Sequence, residues 1–432
     1  MIYVALLILL AALIIGIPVP FSFLASTLFL IVVGDYSPSF LLPYGYSKMS
    51  TVVLLAIPLF ITAGGLMERG NIGQQLIDMV DIFVGRLKGG LGAVAVVSCA
   101  VFGSITGSCC ATLSCIGAIM FPRLQRAGYP LGHSAALMAN SAVLGILIPP
   151  SAIMILYSWV GGQSVLACFL STVVPGIVLT FLFVVNNFFM VRKNPDLILS
   201  QELAPGELGK LFVKRGTRAL PALFMPVMIL GGIYGGMFTP TEAAALSVLY
   251  AIPVGMFVYG GLTRSSLKAV LLESATTTGV VMVMLYAVMI LSRLYIMEDM
   301  PQKLLELLTS ITTSKIGILF ILNIFMVIMG MLMDDVSAVM LCTPILLPIA
   351  TAIGVHPIHF AAILGVNLGM GNITPPCAPV LYLSGRLNGA AISDTLKPTL
   401  QLIAFGWMPV LFVTTYFPEM SLWLPRLVLG IR

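Results

Sequence analysis

The sequence predicts an all-α polytopic membrane protein with about 11 transmembrane helices plus two hairpins, arranged as inverted repeats with broken helices. Three observations carry that class. Hydrophobic residues make up 59% of the chain and charged residues 9%, with a mean hydropathy of +1.10. Apolar runs long enough to cross a bilayer recur from end to end, and none shows the short alternating pattern of a membrane barrel. Finally, Pro122–Ser158 overlies Pro348–Ser384 at a constant offset, pairing His133 with His359, Gly145 with Gly371, and Pro149-Pro150 with Pro375-Pro376. A duplicated, proline-broken membrane helix points to a transporter's binding site.

Taken in order, the first run is Ile2–Val33. It has no basic segment after Met1 and no small-residue cleavage site, so it reads as a retained membrane segment rather than a signal peptide. Pro18 and Pro20 allow either one long kinked helix or two shorter ones. Asn71–Arg86 repeats its apolar residues at helical spacing, at Ile72, Leu76, Val80 and Phe83, and reads as an interfacial amphipathic arm. Residues 301–313 are its counterpart.

Basic residues set the orientation, because they concentrate on the cytoplasmic side. Arg192, Lys193, Lys210, Lys214, Arg215 and Arg218 place the loop 192–218 inside. Two crossings precede it, which puts Arg123 and Arg126 inside as well. With Arg86 and Lys88 also inside, the run 89–122 enters and leaves on one face. It is a helical hairpin with the polar, Gly-rich tip Gly103–Ser108. Crossings at 219–236 and 242–261 bring Arg264 and Lys268 inside, and 273–296 leaves Glu298 and Asp299 outside. A second hairpin, 316–349 with its tip at Gly330–Asp335, therefore starts from the opposite face. The broken helix 357–384 then leads inward to Arg386 and Lys397, and 398–417 exits. Charge bias and sequence repeat are independent signals, and both imply inverted topology.

The repeats define the candidate sites. At the first tip, Ser104, Thr106 and Ser108 bring hydroxyls to a helix break, where free carbonyls such as that of Gly107 can bind a cation and helix N-termini can face an anion. The competing reading is a small-residue helix contact through Gly103 and Gly107. In the two breaks, Gly145–Ser151 and Gly371–Cys377, each proline lacks an N–H and frees a carbonyl one turn earlier. Asn140, Ser151, Asn367, Asn372 and Thr374 are nearby polar groups. The competing reading is a pair of structural kinks. Asp334 and Asp335 are adjacent carboxylates inside an apolar hairpin, which suits an ion or proton role; capping of the next helix is a compatible second role. Arg293, near the outer end of a crossing, either pairs with a substrate carboxylate or snorkels to lipid headgroups. Glu242 reads as a first-turn cap, and His133 and His359 as structural. The seven cysteines read as small, buried and reduced, without metal-ligand spacing.

Other classes fit less well. No P-loop occurs, so ATP hydrolysis is not expected. An intramembrane enzyme needs a convergent catalytic cluster that three histidines and few intramembrane acids do not supply. Two inverted broken helices suit a carrier better than a channel. The net charge of +5 fits membrane orientation, not nucleic-acid binding.

At these residues the chain resembles the large membrane subunit of tripartite ATP-independent periplasmic (TRAP) transporters, the DctM-like family. The motifs are FGSITGSCCAT, ILIPPS, TPTEAAA, MDD and NITPP, in that order. The resemblance covers nearly the whole chain and implies a multi-pass protein of the bacterial inner membrane. It further implies elevator-type, Na⁺-coupled uptake of an organic acid, such as a C4-dicarboxylate, sialic acid or another sugar acid. Implied partners are a small four-helix membrane subunit and a periplasmic substrate-binding protein. A standalone Na⁺- or H⁺-coupled anion symporter of the same superfamily is the alternative.

The resemblance also implies a division into scaffold helices and arm (1–88), a first transport repeat (89–160), scaffold helices (161–315), a second transport repeat (316–384) and a C-terminal helix and tail (385–432). Carried onto this sequence, it implies Na⁺ at Ser104, Gly107 and Ser108 with the carbonyls of Gly145, Ile148 and Pro149. A second Na⁺ is implied at Gly330, Met333, Asp334 and Asp335 with Gly371, Thr374 and Pro375. Substrate would meet Ser104, Thr106, Ser108, Arg293 and Thr374. Cys109 and Cys110 stand where relatives often have serines, so they are poor Na⁺ ligands.

Overall fold

The computed structural model describes residues 1–84, 89–192, 194, 197 and 207–430. The expected placements of Arg86, Lys88, Lys193 and Lys210 rest on residues or side chains outside that set. Among the described residues the secondary structure is entirely helical. Eight helices are long and apolar enough to cross a membrane, or nine if one bent pair counts as a span.

The first apolar run is two helices, α1 (Ile2–Ile15) and α2 (Val19–Gly34), broken at Gly16 and Pro18. They fold back on each other, and Ser26 donates to the Ala5 carbonyl at 2.9 Å. Next come α3 (Pro38–Met49), α4 (Ala56–Arg69) and the amphipathic arm α5 (Ile72–Val84). The first hairpin is α6 (Gly90–Thr106) and α7 (Cys109–Arg126). The first broken helix is α8 (Leu131–Ala142), the short α9 (Leu144–Leu147) and α10 (Ala152–Gly161).

Between the repeats lie α11 (Val165–Val191), α12 (Glu207–Tyr234), α13 (Pro240–Pro253), α14 (Arg264–Met297) and α15 (Met300–Ile311). α13 opens with the expected cap: Thr239 and Glu242 exchange side-chain to backbone bonds, and Pro240 takes the first helical position. α14 has 34 residues and so spans about 51 Å, well beyond a hydrocarbon core of about 30 Å.

The second hairpin is α16 (Lys315–Leu332) and α17 (Asp335–Ala352), and the second broken helix is α18 (Pro357–Gly371) and α19 (Pro379–Asn388). Past it the chain forms α20 (Ile392–Leu402), α21 (Met408–Tyr416) and α22 (Glu419–Leu429). α20 and α21 run on as one apolar span, Ile392–Tyr416, and α22 follows after a break at Phe417 and Pro418.

The two broken helices lie side by side and antiparallel. Asn388 and Ser384 of α19 donate to the carbonyls of Leu131 and Ala135 of α8 at 2.8 and 2.7 Å. On the other halves, Tyr157 of α10 donates to the Pro357 carbonyl of α18 at 2.6 Å. Residue order rises along one helix as it falls along the other, which is the opposite orientation required of inverted repeats. The repeated histidines hold the helix starts from outside: His133 bonds Asn187 at 3.1 Å and His359 the Thr414 carbonyl at 2.7 Å.

Candidate ion and substrate site

Each hairpin touches its own broken helix through a pair of glycines. In the first repeat, a methyl group on Gly103 would lie 2.5 Å from the Gly145 Cα. In the second, a methyl group on Gly371 would lie 2.7 Å from the Gly330 Cα. These glycines are repeat partners of one another, and only hydrogen at Cα lets the backbones meet so closely. The small-residue contact and the helix break are thus the same place.

The turns are tighter than the sequence predicts. The first tip is only Gly107 and Ser108, because Gly107 takes a left-handed conformation (φ +60°) that closes α6 at once. Ser104 and Thr106 therefore sit in the last turn of α6, and Ser104 donates back to the Val101 carbonyl at 2.7 Å. Thr106 meets the Thr112 hydroxyl at 3.0 Å, and Thr112 donates to the Ser108 carbonyl at 2.8 Å. Likewise Gly330 lies within α16, and the second tip is Met333 and Asp334.

The first tip rests on the first break. A Cβ on Gly107 would lie 3.0 Å from the Ala152 nitrogen and 3.3 Å from the Pro150 carbonyl oxygen. Pro149 and Pro150 carry no N–H, so the Gly145 and Ile146 carbonyls lose their helical donors. At the end of the same break the Ser151 hydroxyl is fully buried and has no hydrogen-bond partner. The first break thus holds an orphaned hydroxyl and two freed carbonyls, oxygens that could serve a monovalent cation. Ile148 ends α9 in an extended conformation.

The second junction differs. Asp334 caps α17, accepting from the backbone nitrogens of Val336 and Ser337 at 3.2 and 3.4 Å and from the Ser337 hydroxyl. Asp335 is not a cap. One of its oxygens takes the amide of Asn372 in the second break, and the other faces Cys109 Sγ of the first hairpin at 2.8 Å. Thr374 donates to the Met370 carbonyl at 2.6 Å, and the Gly371 carbonyl keeps a donor, the Thr374 nitrogen, at 3.0 Å. The second break is thus better satisfied by its own backbone than the first.

One correction concerns the cysteines. Cys110 and Cys377 are exposed, not buried, because one follows a tip and the other lies in a break, where helix packing stops. Arg293 stands apart from the tips, toward the outer end of α14. Met284 of α14 touches Ser337 at the second tip, and Arg293 lies nine residues, about 13 Å, further along the helix. Its guanidinium stacks on the Tyr44 ring, 5.4 Å from the centroid. Sequence reasoning missed Asn372 as an Asp335 partner, although the residue stood among the polar groups of the break. Among the described residues no His, Cys, Asp or Glu cluster could hold a metal ion.

The family model of the tripartite ATP-independent periplasmic transporter, DctM component, matches residues 6–420. The chain belongs to the DctM family. This DctM-family chain is 35% identical over 382 residues to the C4-dicarboxylate TRAP transporter large permease protein DctM of Pseudomonas aeruginosa, covering 86% of each. It is 30% identical over 416 residues to the sialic acid TRAP transporter large permease protein SiaM of Vibrio cholerae, covering 96% of each. It is also 32% identical over 411 residues to the isethionate TRAP transporter permease protein DctMQ of Oleidesulfovibrio alaskensis, where it spans 95% of itself but only 64% of the longer relative. Among solved structures, the Alcanivorax borkumensis YdaH transporter superposes with a TM-score of 0.61 at 14% identity, covering 91% of this chain and 89% of that one. That likeness concerns the fold alone. The DctM-family chain is a multi-pass membrane transporter subunit, not an enzyme.

Proposed function

We propose that this subunit carries out Na⁺-coupled secondary uptake of an organic acid across the bacterial inner membrane. The observation that carries the proposal is the pair of glycine-closed junctions, one per repeat, joined at the tips by Cys109 and Asp335. One Na⁺ would use the Gly145 and Ile148 carbonyls with Ser151 and the Gly107–Ser108 turn. Another would use Asp335 with the Gly330–Met333 and Gly371–Pro375 backbones. Cation binding at these junctions would draw each hairpin onto its break and neutralise Asp335, so that an anion can approach the tips. Thr106, Ser108 and Thr374 are hydroxyls of the first tip and the second break that could meet such a carboxylate.

The hairpins and broken helices would then move together as a transport domain, elevator-fashion, against a scaffold that includes α4 and α14. Those two helices bear on the tips: Gly64 of α4 packs on Thr106, and Met284 of α14 on Ser337. The relatives named for C4-dicarboxylates and sialic acid support an organic acid as cargo. The relative named DctMQ supports a small Q-type membrane subunit as partner, and the family description supports a periplasmic binding protein. Reconstituting the chain with its small subunit under a Na⁺ gradient, with and without the binding protein, tests the reading. Uptake that needs both is expected. Equal uptake without the binding protein would overturn the tripartite account in favour of a standalone symporter.

A further inference from the structure

A cavity of about 330 Å³ opens well away from the hairpin tips, between α3 and α14 on one side and α10 and α17 on the other. Its wall includes Tyr44, Lys48, Trp159, Ser292, Thr343 and Pro348. Two cations converge on one of those side chains. The Lys48 ammonium lies 5.7 Å from the Tyr44 ring centroid and the Arg293 guanidinium 5.4 Å from it. Among the described residues neither cation has a carboxylate within 4 Å.

The nearest candidate on the same helix end is already engaged. Glu298 accepts from the Tyr36 hydroxyl at 2.6 Å and faces Lys303 at 3.9 Å. That bond holds the Tyr36 phenol protonated, raising its pKa above the ordinary value. Lys48 is exposed and stands in the cavity wall, and Arg293, outside the lining, reaches the same Tyr44 ring, so the positive charge around this ring is not neutralised by a carboxylate. The cavity has room for a small organic acid, and Trp159 and Pro348 supply an apolar wall for its carbon skeleton. Lys48 offers a point charge for a carboxylate in the cavity, and Arg293 raises the positive potential beside it.

We propose that this cavity is an outer anion site, in which a small carboxylate rests against Lys48 beside Trp159, with Arg293 adding positive potential at the Tyr44 ring. It rests on the transporter reading and deepens it: the site would hold the substrate class between its arrival at this face and its approach to the hairpin tips. Because its walls belong to two helix pairs, movement of α10 and α17 against α3 and α14 would open or close it. A lipid headgroup could offer the same negative charge, and the test separates the two.

Trp159 is a built-in reporter. Trp407 is fully buried and bonded to Asn140, so aqueous quenchers do not reach it, and the exposed Trp423 can be changed to Phe. In nanodiscs, with no gradient and no binding protein, iodide quenching of the Trp423→Phe protein is compared with quenching by neutral acrylamide. The proposal expects Lys48→Gln with Arg293→Gln to lower the iodide slope about twofold and leave the acrylamide slope unchanged. Lys48→Arg should keep the parent slope. Replacing chloride by succinate at constant ionic strength should lower the iodide slope in the parent only. An iodide slope indifferent to the two cations, as a lipid-filled cavity would give, overturns the proposal. So does a cation-dependent slope that succinate leaves unchanged. Either failure leaves the uptake reading standing, because this measurement involves no transport.

Discussion

Cys109 and Asp335 are the first residues of the second arm in each hairpin, 226 positions apart, and they touch: the thiol faces Asp335 Oδ2 at 2.8 Å. Each opens the second arm of its hairpin, and such positions of two inverted copies meet only near the axis that relates them. The contact therefore fixes where the tips converge, and it sets an aliphatic thiol against a carboxylate that also holds Asn372 of the second break.

Asp335→Asn keeps the shape of the side chain and removes its charge. Na⁺-dependent uptake should fall about tenfold or more with little change in the amount of folded protein. Asp334→Ala should act differently, costing about 1 kcal/mol of stability through its lost cap while sparing most of the Na⁺ dependence. Uptake at several Na⁺ concentrations and thermal unfolding of both variants check this. Equal loss of Na⁺ dependence in the two would refute the division of roles.

Ser151→Ala removes a buried hydroxyl that has no partner. A hydroxyl present for structure would cost stability when lost, but an orphan costs stability while it stays. The variant should therefore unfold at an equal or higher temperature in Na⁺-free buffer and need more Na⁺ for half-maximal uptake. Lower stability with unchanged Na⁺ dependence would assign Ser151 to packing.

Gly103→Ala and Gly371→Ala each add a Cβ inside 2.8 Å of facing backbone. Backbone cannot turn aside as a side chain can, so each should destabilise by about 1–3 kcal/mol and reduce uptake. Gly231→Ala, where nothing lies within 4 Å of the added carbon, is the control and should be neutral or slightly stabilising. Melting temperatures of the three variants rank them.

The arm α5 is tied to both neighbours by ion pairs: Asp78 to Arg123 at the end of the first hairpin at 2.8 Å, and Asp81 to Arg215 of α12 at 3.0 Å. Both pairs are partly solvated, so each should contribute no more than about 1 kcal/mol to stability. If the arm links a moving hairpin to a fixed helix, Asp78→Ala should alter the uptake rate more than the melting temperature. A double-mutant cycle with Arg123→Ala should show that the two effects are coupled.

The hairpins, the breaks and the cap at Thr239 were legible because proline pairs, glycines and capping residues are local signals. The opposite orientation of the repeats was legible too, since charge bias and internal repetition reported it separately. What could not be read was tertiary. Tip length depends on Gly107 closing α6 in one residue, so Ser104 and Gly330 fell inside helices rather than at the turns. The Cys109–Asp335 contact and the Asn372 bond join segments that only the crossing of the two repeats brings together. Arg293 had helical register but no visible partner; Tyr44, far back in the sequence, decides where it points.

The central claim is that two unlike junctions couple ion to cargo. A Na⁺ titration of initial uptake in proteoliposomes, at fixed membrane potential and with binding protein present, tests it most directly. The account predicts a sigmoidal dependence with a Hill coefficient above one, reduced toward one by Ser151→Ala or by Asp335→Asn. Uptake that is indifferent to Na⁺ and follows an imposed pH gradient instead would contradict it.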